Sequence, residues 1–214
     1  MNLSFNEVEN LVRKAARGAG LDPGRADDLA AASAVLASHG LPVCAIIYRA
    51  LTGDPGQPLT ISADGAQAIC PATSAARMGS SALDLLLAKP PGFEVTLDTE
   101  DEPLLIAALA VVAARRYASG FAVTAQHATL TIERDRRTDF AALENARSIP
   151  IVLRRLDATA ARPSRAMTPA SRYDPEQVSD DAVAGLERLA RMTYVPASDA
   201  SRFKGAGAGL TDND

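Results

Sequence analysis

The sequence predicts an α+β protein, in which a helical N-terminal part is followed by a small, mainly antiparallel sheet with packed helices. Two observations carry this prediction. Apolar residues recur with helical spacing over the first 40 residues, and the period-two alternation of a half-buried strand appears at residues 93–97. We therefore expect a mainly helical part at 1–90 and an α+β part with a Gly-rich C-terminal tail at 91–214, which can together form one compact domain.

The first two predicted helices have clear start and stop signals. Ser4 can cap the first helix, with Glu7 three residues further on, and Gly18 stops it. The second helix starts near Pro23 and ends at Gly40. Weaker patterns after it predict a short helix at 43–51, strands at 59–62 and 66–69, and a helix at 80–88.

The second half opens after Lys-Pro-Pro-Gly at 89–92. The predicted elements are a strand at 93–97, an apolar helix at 103–116, a hairpin of 121–124 with 129–132, a strand at 149–156 and a helix at 182–192. In the apolar helix, one face carries Leu105, Ile106, Leu109, Val112 and Ala113. We expect this face to pack against the strands around Val95 and Val123.

Composition excludes several classes of protein. The net charge is −4, which is unlike a basic nucleic-acid-binding domain, so we expect no nucleic-acid partner. The longest apolar run, near 104–114, is too short to cross a bilayer, and the polar, acidic N-terminus does not resemble a signal peptide. We therefore expect a cytoplasmic protein without a membrane partner. Alanine accounts for 43 of the 214 residues, which favours closely packed helices.

The cysteines give no indication of a disulfide or a metal site. Cys44 and Cys70 are 26 residues apart and form no CxxC pair, so buried free thiols are expected. No Walker loop and no G-x-G-x-x-G motif follows a predicted strand. We expect no metal and no cofactor.

His39 is a further candidate site residue. The alternative is that it only stabilises the end of a helix. It lies in Ser-His-Gly at the predicted end of the second helix, where the helix dipole favours a histidine and glycine is a common stop. The segment 11–42 is similar to the helical opening of the second lactate/malate dehydrogenase family, which carries a similar Ser-His-Gly. The rest of the chain is too short for that fold and has no counterpart motif. The other histidine, His127, falls in the predicted hairpin turn.

A basic region contrasts with the acidic chain. Residues 115–172 contain 11 Arg and five acidic residues, a net charge of +6 (11 − 5), whereas the whole chain carries −4. Such a region attracts an anionic ligand or an acidic partner. An ordinary solvated face with ion pairs between elements is the alternative.

The C-terminal segment has the most unusual composition, because Gly and Ala alternate over 205–209. Alternating glycines let the backbone approach another surface closely, and successive free amides can cradle an anion. A flexible tail is the alternative. If the segment docks, we expect Leu210 on an apolar site and the acids after it against arginines. The candidate ligand- or partner-binding residues here are Ser198, Ser201, Arg202, Gly205, Gly207, Gly209, Thr211, Asp212 and Asn213.

Three segments carry a family resemblance: KAARGAG at 14–20, AICPATSAA at 68–76 and TYVPASDASRFKGAGAGLTDND at 193–214. They resemble the bacterial domain-of-unknown-function family 3726, and the resemblance extends over nearly the whole chain. It implies a stand-alone bacterial protein of about this length. It implies no activity, cofactor or catalytic residue.

Two functional hypotheses follow from these observations. The first is a non-catalytic binding or accessory protein, expected as a homo-oligomer, that uses the Arg-rich sheet region and an ordered C-terminal tail as contact surfaces. The second is a small-molecule enzyme acting on an anionic metabolite bound at the Gly-rich tail, with Arg202 in the anion cradle and His39 as acid/base. The sequence leaves open whether the protein is an enzyme and which residue would be catalytic.

Overall fold

A computed structural model of the chain describes residues 3–54, 56–99, 103–134, 138–144, 146, 150–156 and 179–193. These residues contain seven helices and six strands, which confirms the α+β class. The helices are α1 (Phe5–Gly18), α2 (Pro23–Ser38), α3 (Val43–Thr52), α4 (Ala75–Ala88), α5 (Pro103–Tyr117), α6 (Ala141–Glu144) and α7 (Asp180–Arg191). The strands are β1 (Thr60–Ile61), β2 (Gln67–Cys70), β3 (Glu94–Leu97), β4 (Gly120–Ala125), β5 (Ala128–Ile132) and β6 (Ile151–Leu156).

The six strands form one sheet in the order β1-β2-β3-β6-β4-β5. Four neighbouring pairs are antiparallel, and β2 with β3 is parallel. A parallel pair needs a crossover connection, and α4 supplies it between these two strands. The expectation of a mainly antiparallel sheet is confirmed. The sheet contains strands from both expected parts of the chain, because β2 from residues 1–90 pairs with β3 from residues 91–214.

Within the described residues, one face of the sheet is buried under helices and the other is exposed. Along β4, Phe121, Val123 and Ala125 are buried, and the residues between them are half-exposed. The same alternation occurs in β2, β3 and β5. Helix α4 contacts β3 and β6, and α5 contacts β4 and β5, so the buried side chains lie under these helices. Helix α2 packs on α4 and α5, and α1, α3 and α7 pack on other helices, so further helices cover the two that lie on the sheet.

Helix α5 is buried on nearly every side and forms the centre of the helical layer. Leu105, Ile106, Leu109 and Ala113 are buried, as predicted. Val112 was also expected on this face, but it is only half-buried and lines the cleft beside Asp28 and Arg116. The expected facing is only partly right. Leu109 faces α4, where a Cβ added to Gly79 would lie 2.6 Å from its Cδ1 and 3.1 Å from the Cδ1 of Ile106. The sequence pattern of α5 could not predict this contact, because the space for the Leu109 side chain is provided by a glycine on another helix.

Two glycines allow α7 to pack closely on the N-terminal helices. A Cβ added to Gly18 of α1 would lie 1.8 Å from the carbonyl oxygen of Leu189 in α7. A Cβ added to Gly185 of α7 would lie 2.4 Å from the Tyr48 ring of α3. The buried side chains of α7 include Val183 and Leu186. The last described helix is therefore joined to the first and third ones.

The start of α4 and the whole of α6 differ from the sequence-based expectation. Helix α4 begins at Ala75, five residues earlier than predicted, because the Ser74 hydroxyl caps it by accepting from the Ala76 amide at 3.2 Å. The four-residue α6 was not predicted, since one helical turn has no periodicity to detect. Among the described residues, no helix has both the length and the apolar character needed to cross a membrane.

Candidate functional site

The nine candidate residues of the C-terminal tail lie at 198–213, outside the described residues. The structure neither supports nor contradicts them. Of the candidate site residues named from the sequence, His39 is the one whose surroundings can be examined.

His39 directly follows the last residue of α2. One of its ring nitrogens is hydrogen-bonded, and the other has no hydrogen-bond partner among the described residues. Its Nδ1 lies 2.9 Å from the carbonyl oxygen of Val35 and 3.2 Å from the Oγ of Ser38. A carbonyl oxygen can only accept, so Nδ1 carries the hydrogen that is donated to Val35. In the neutral imidazole, Nε2 then carries the lone pair. The Phe140 ring holds the imidazole edge-on, with centroids 4.8 Å apart and an interplanar angle of 71°.

The Nε2 atom of His39 is buried and has no hydrogen-bond partner among the residues that the structure describes. An oriented neutral imidazole with a free acceptor is the starting geometry of a general base. Catalysis also needs a substrate site and a group that stabilises developing charge. The described part of the chain contains no group of three His, Cys, Asp or Glu side chains that could hold a metal ion.

The two thiols are protonated at neutral pH. Cys44 and Cys70 are both free and buried, which confirms the prediction. Burial raises the pKa of Cys44 to about 11. Burial also raises the pKa of Cys70, and the neighbouring Thr73 hydroxyl opposes that shift. Because the thiolate is the reactive form, neither cysteine is set up as a nucleophile.

The carboxyl end of the parallel pair β2 and β3 is where open α/β sheets commonly bind ligands. The turn from β2 into α4 lies here, and Ala72 in it has a positive φ of 44°, which is uncommon for a residue with a side chain. The amide of Thr73 donates to the carbonyl oxygen of Asp98 at 2.9 Å. The Thr73 hydroxyl is buried beside the Cys70 thiol and has no other partner within the described ranges.

This end of the sheet is nevertheless closed. The chain at Gly56 covers Thr73 so tightly that a Cβ on the glycine would lie 2.6 Å from the threonine Oγ1. The thiol of Cys70 donates to the carbonyl oxygen of Gln57 at 3.0 Å. The N-terminus of α4 is capped by Ser74. Sequence reasoning missed Thr73 as a site residue, although the segment 68–76 that contains it was one of the three carrying the family resemblance.

A polar cluster joins α2, α4 and α5. Arg116 Nη1 lies 2.6 Å from Asp28 Oδ1, and Asp84 lines the same cleft. Burial raises the pKa of Asp84, the negative charge of Asp28 raises it further, and Arg116 and Arg25 lower it. Asp84 is also more than a third exposed, so solvent screens these interactions. The cleft encloses about 20 Å³, about enough for one water molecule, so the cluster connects helices and has no room for a metabolite.

Several arginines of the basic region 115–172 have partners inside the chain. Arg154 forms an ion pair with Glu94 at 2.5 Å across β6 and β3. Arg155 Nη1 donates to the Leu87 carbonyl oxygen at 2.8 Å, near the end of α4, where a cation is favourable. Together with Arg116, these side chains fit the alternative of a face with ion pairs between elements. Six further arginines of this region lie outside the described residues.

The open face of the sheet is an extended surface of uncharged, β-branched side chains. One residue from each strand contributes to a row that is in register across the whole sheet. Beside it, a second row contains the Glu94–Arg154 pair, and Ile69 in the first row is 42% exposed. The first row, called the β-branched row below, consists of Thr60, Ile69, Thr96, Val152, Thr124 and Thr129.

Comparison with curated proteins found no match. A family model described as "Protein of unknown function (DUF3726)" matches residues 3–81. The matched part runs from α1 into α4 and contains His39 and Thr73. It also contains the resembling segments 14–20 and 68–76, whereas the segment 193–214 lies outside it. The predicted resemblance is therefore confirmed over residues 3–81, where the chain matches the DUF3726 family of unknown function.

Proposed function

We propose that this protein is a non-catalytic binding or accessory protein of the cytoplasm that acts as a homo-oligomer, with the open sheet face as its contact surface. The observation that supports this proposal is the β-branched row, which extends over all six strands on the face that no helix of the described ranges covers. The candidate residues at 198–213 belong to the same proposal as a second binding segment, which can dock within its own chain or on a second copy.

The side chains of this face are those that pack well between sheets. β-branched residues are stiff and present a regular surface, and sheet-on-sheet packing joins such faces at a spacing of about 10 Å. Hydroxyls in the row are able to satisfy one another, as Thr124 and Thr129 do at 3.0 Å. A second copy of the chain is therefore an occupant of matching shape and polarity.

Charge on this face is also self-complementary. Glu94 and Arg154 occupy neighbouring strands in the second row. A two-fold axis presents the same patch of both copies to each other, so Glu94 of one copy can face Arg154 of the other. An unrelated partner would need its own matching charge pair, whereas a second copy has it by symmetry.

The size of the face predicts a reversible association. Six strands about 4.8 Å apart span about 24 Å, and four residues per strand extend over about 13 Å. The product is roughly 300 Å² per copy, below the roughly 800 Å² per partner of a standard stable interface. We expect the dimer to dissociate on dilution unless flanking segments add to it.

Sedimentation velocity over a range of concentrations tests the proposal. Val152→Lys places a charge at the centre of the β-branched row and should yield a monomer with an unchanged melting temperature. Ala142→Lys adds the same charge on the exposed side of α6 and should not alter the mass. A wild-type protein that is monomeric at every concentration would contradict the proposal, and so would a Val152→Lys dimer.

Charge exchange gives a second, independent check. Glu94→Arg and Arg154→Glu each place like charges together and should weaken the dimer, whereas the double exchange should restore it. Thermal unfolding of dilute, monomeric samples separates the pair's contribution within one chain from its contribution between copies. If both single variants and the double exchange dimerise with the dissociation constant of the wild type, this part of the proposed interface is ruled out.

A small-molecule enzyme acting on an anionic metabolite is the second candidate function, favoured by the oriented His39 with its free Nε2. A thermal-shift screen with cytosolic carboxylates and phosphates tests it, because a ligand at 100 times its dissociation constant adds about 2.7 kcal/mol to stability. We expect any stabilising compound to lose its effect in His39→Gln. A screen without a stabilising compound, or one whose compounds act equally on the variant, would remove this candidate.

A further inference from the structure

A groove of about 400 Å³ runs between α1 and α7, apart from the open sheet face. One wall is a single stripe of α1, because residues three and four apart on a helix share a face. The other wall is the C-terminal part of α7. The lining residues are Glu7, Asn10, Leu11 and Lys14 from α1, and Glu187, Ala190 and Arg191 from α7.

The groove has an apolar floor and a charged rim. Leu11 and Ala190 supply the apolar atoms, and Leu11 is only half-buried. The rim carries two acids, Glu7 and Glu187, and two cations, Lys14 and Arg191. Arg191 lies 3.8 Å from Glu187 on the same helix. This arrangement fits a short peptide with one large apolar side chain between charged ones.

We propose that this groove binds the C-terminal segment of the same chain, residues 194–214, with the Phe203 ring on Leu11 and Ala190. The segment follows α7 directly, two residues after Arg191, so it leaves the helix beside the groove. Phe203 lies between Arg202 and Lys204, and the acids Asp212 and Asp214 follow further on. The segment therefore carries charges of both signs, as the rim does. Phe203 is the one phenylalanine in the segment.

The chain is long enough for this contact. Phe203 is ten positions beyond Thr193, a stretch of chain that can span up to about 33 Å, whereas the groove extends along α1 from Glu7 to Lys14, about 10 Å. The segment can therefore turn back and enter the groove. Because it is tethered, its effective concentration is on the order of millimolar, and even a weak contact is populated. The alternating glycines at 205–209 then let the backbone continue close to the helices.

A spin label on the segment tests the proposal in the full-length protein. Both native cysteines are buried, so Ala206→Cys provides one reactive thiol for a nitroxide. We expect the label to broaden the amide resonances of α1 around Leu11 and Lys14 more than those of the sheet. Broadening that is absent, or that is uniform over the surface, would overturn the proposal.

Matched variants identify the anchor. In the labelled protein, Phe203→Ala should return the α1 amides to the intensities of an unlabelled sample. Leu210→Ala truncates the other anchor expected from the sequence and should leave the broadening in place, because the groove is assigned to Phe203. Leu11→Glu should release the segment, and Asn6→Glu, an exposed position of α1 outside the groove, should not. Broadening that survives both Phe203→Ala and Leu11→Glu would refute the assigned contact.

A mixed sample distinguishes a contact within one chain from a contact between copies. Spin-labelled protein without ¹⁵N is mixed with ¹⁵N-labelled protein without a spin label. We expect no broadening of the α1 amides in this mixture at concentrations where the singly labelled protein shows it. Broadening in the mixture would mean that the segment of a second copy fills the groove, and the proposal as stated would be wrong.

Discussion

Replacing Gly18 with alanine tests how α7 packs on the N-terminal helices. The added Cβ would lie 1.8 Å from the Leu189 carbonyl oxygen and 2.7 Å from its carbonyl carbon. Both atoms belong to the backbone of α7, so no side-chain rotation relieves the overlap. The separation from the oxygen must grow by 1.6 Å, from 1.8 to 3.4 Å, before the contact is an ordinary one.

Two effects of this substitution oppose each other. Alanine favours a helical position over glycine by up to about 1 kcal/mol. Overpacking costs about 1 to 3 kcal/mol when the neighbours can adjust, and more when backbone must move. The movement also loosens Val183 and Leu186, which α7 buries. We expect the free energy of unfolding to fall by about 1 to 3 kcal/mol, because the overlap with backbone outweighs the gain in helix propensity.

Urea denaturation of Gly18→Ala and of a control measures this difference. Gly24→Ala is the control, because it also adds a methyl group to a helix but meets only the side-chain oxygen of Asp22, at 3.3 Å. The control should keep or slightly gain stability. Hydrogen exchange should accelerate over α7 in Gly18→Ala. An unchanged or higher midpoint for Gly18→Ala would refute the close approach of Leu189 to α1.

Three further predictions concern the core, a thiol and a helix cap. Leu109→Ala should lower the unfolding free energy by about 2 to 5 kcal/mol in urea denaturation, because it leaves a cavity beside Gly79; a loss under about 0.5 kcal/mol would contradict the packing of α5. Since burial raises the pKa of Cys44 from 9.0 to about 11, its thiol ionises first in the unfolded chain, and stability should fall as pH rises from 9 to 11. In thermal melts of Cys44→Ala, the melting temperature should fall less over that pH range than in the wild type. An equal fall in both proteins would contradict the raised pKa of Cys44. Ser4→Ala removes the hydroxyl that accepts from the Glu7 amide and should cost about 1 kcal/mol, whereas an unchanged melting temperature would show that the cap contributes nothing.

Local signals in the sequence were sufficient for most helices and for the hairpin. The capping box of Ser4 and Glu7 forms as predicted, and α2 begins at Pro23. Each end of the β4 and β5 strands lies within one residue of its expected position. These features depend on residues within a few positions of each other, so the sequence alone contains the relevant interactions. The buried state of Cys44 and Cys70 was predictable for the same reason, since each lies in an apolar stretch.

The candidate site was less predictable, because its parts come from distant positions. His39 could be named from Ser-His-Gly, but its free Nε2 depends on Val35 and on Phe140, which is 101 residues away in the chain. The basic region 115–172 was visible as a charge excess. Its pairing with Asp28, Glu94 and the end of α4 became visible only when the elements were placed together.

The sequence by itself therefore determined the α+β class, the positions of most elements, the buried cysteines and the resemblance over residues 3–81. Only the tertiary structure decided that β6 lies between β3 and β4, that the described helices cover one sheet face and not the other, and that Gly18 and Gly185 bring α7 onto α1 and α3. The physical reason is the range of the interactions. Capping, turns and periodicity act between near neighbours, whereas strand order and helix packing are set by which apolar faces can be buried together across the whole chain.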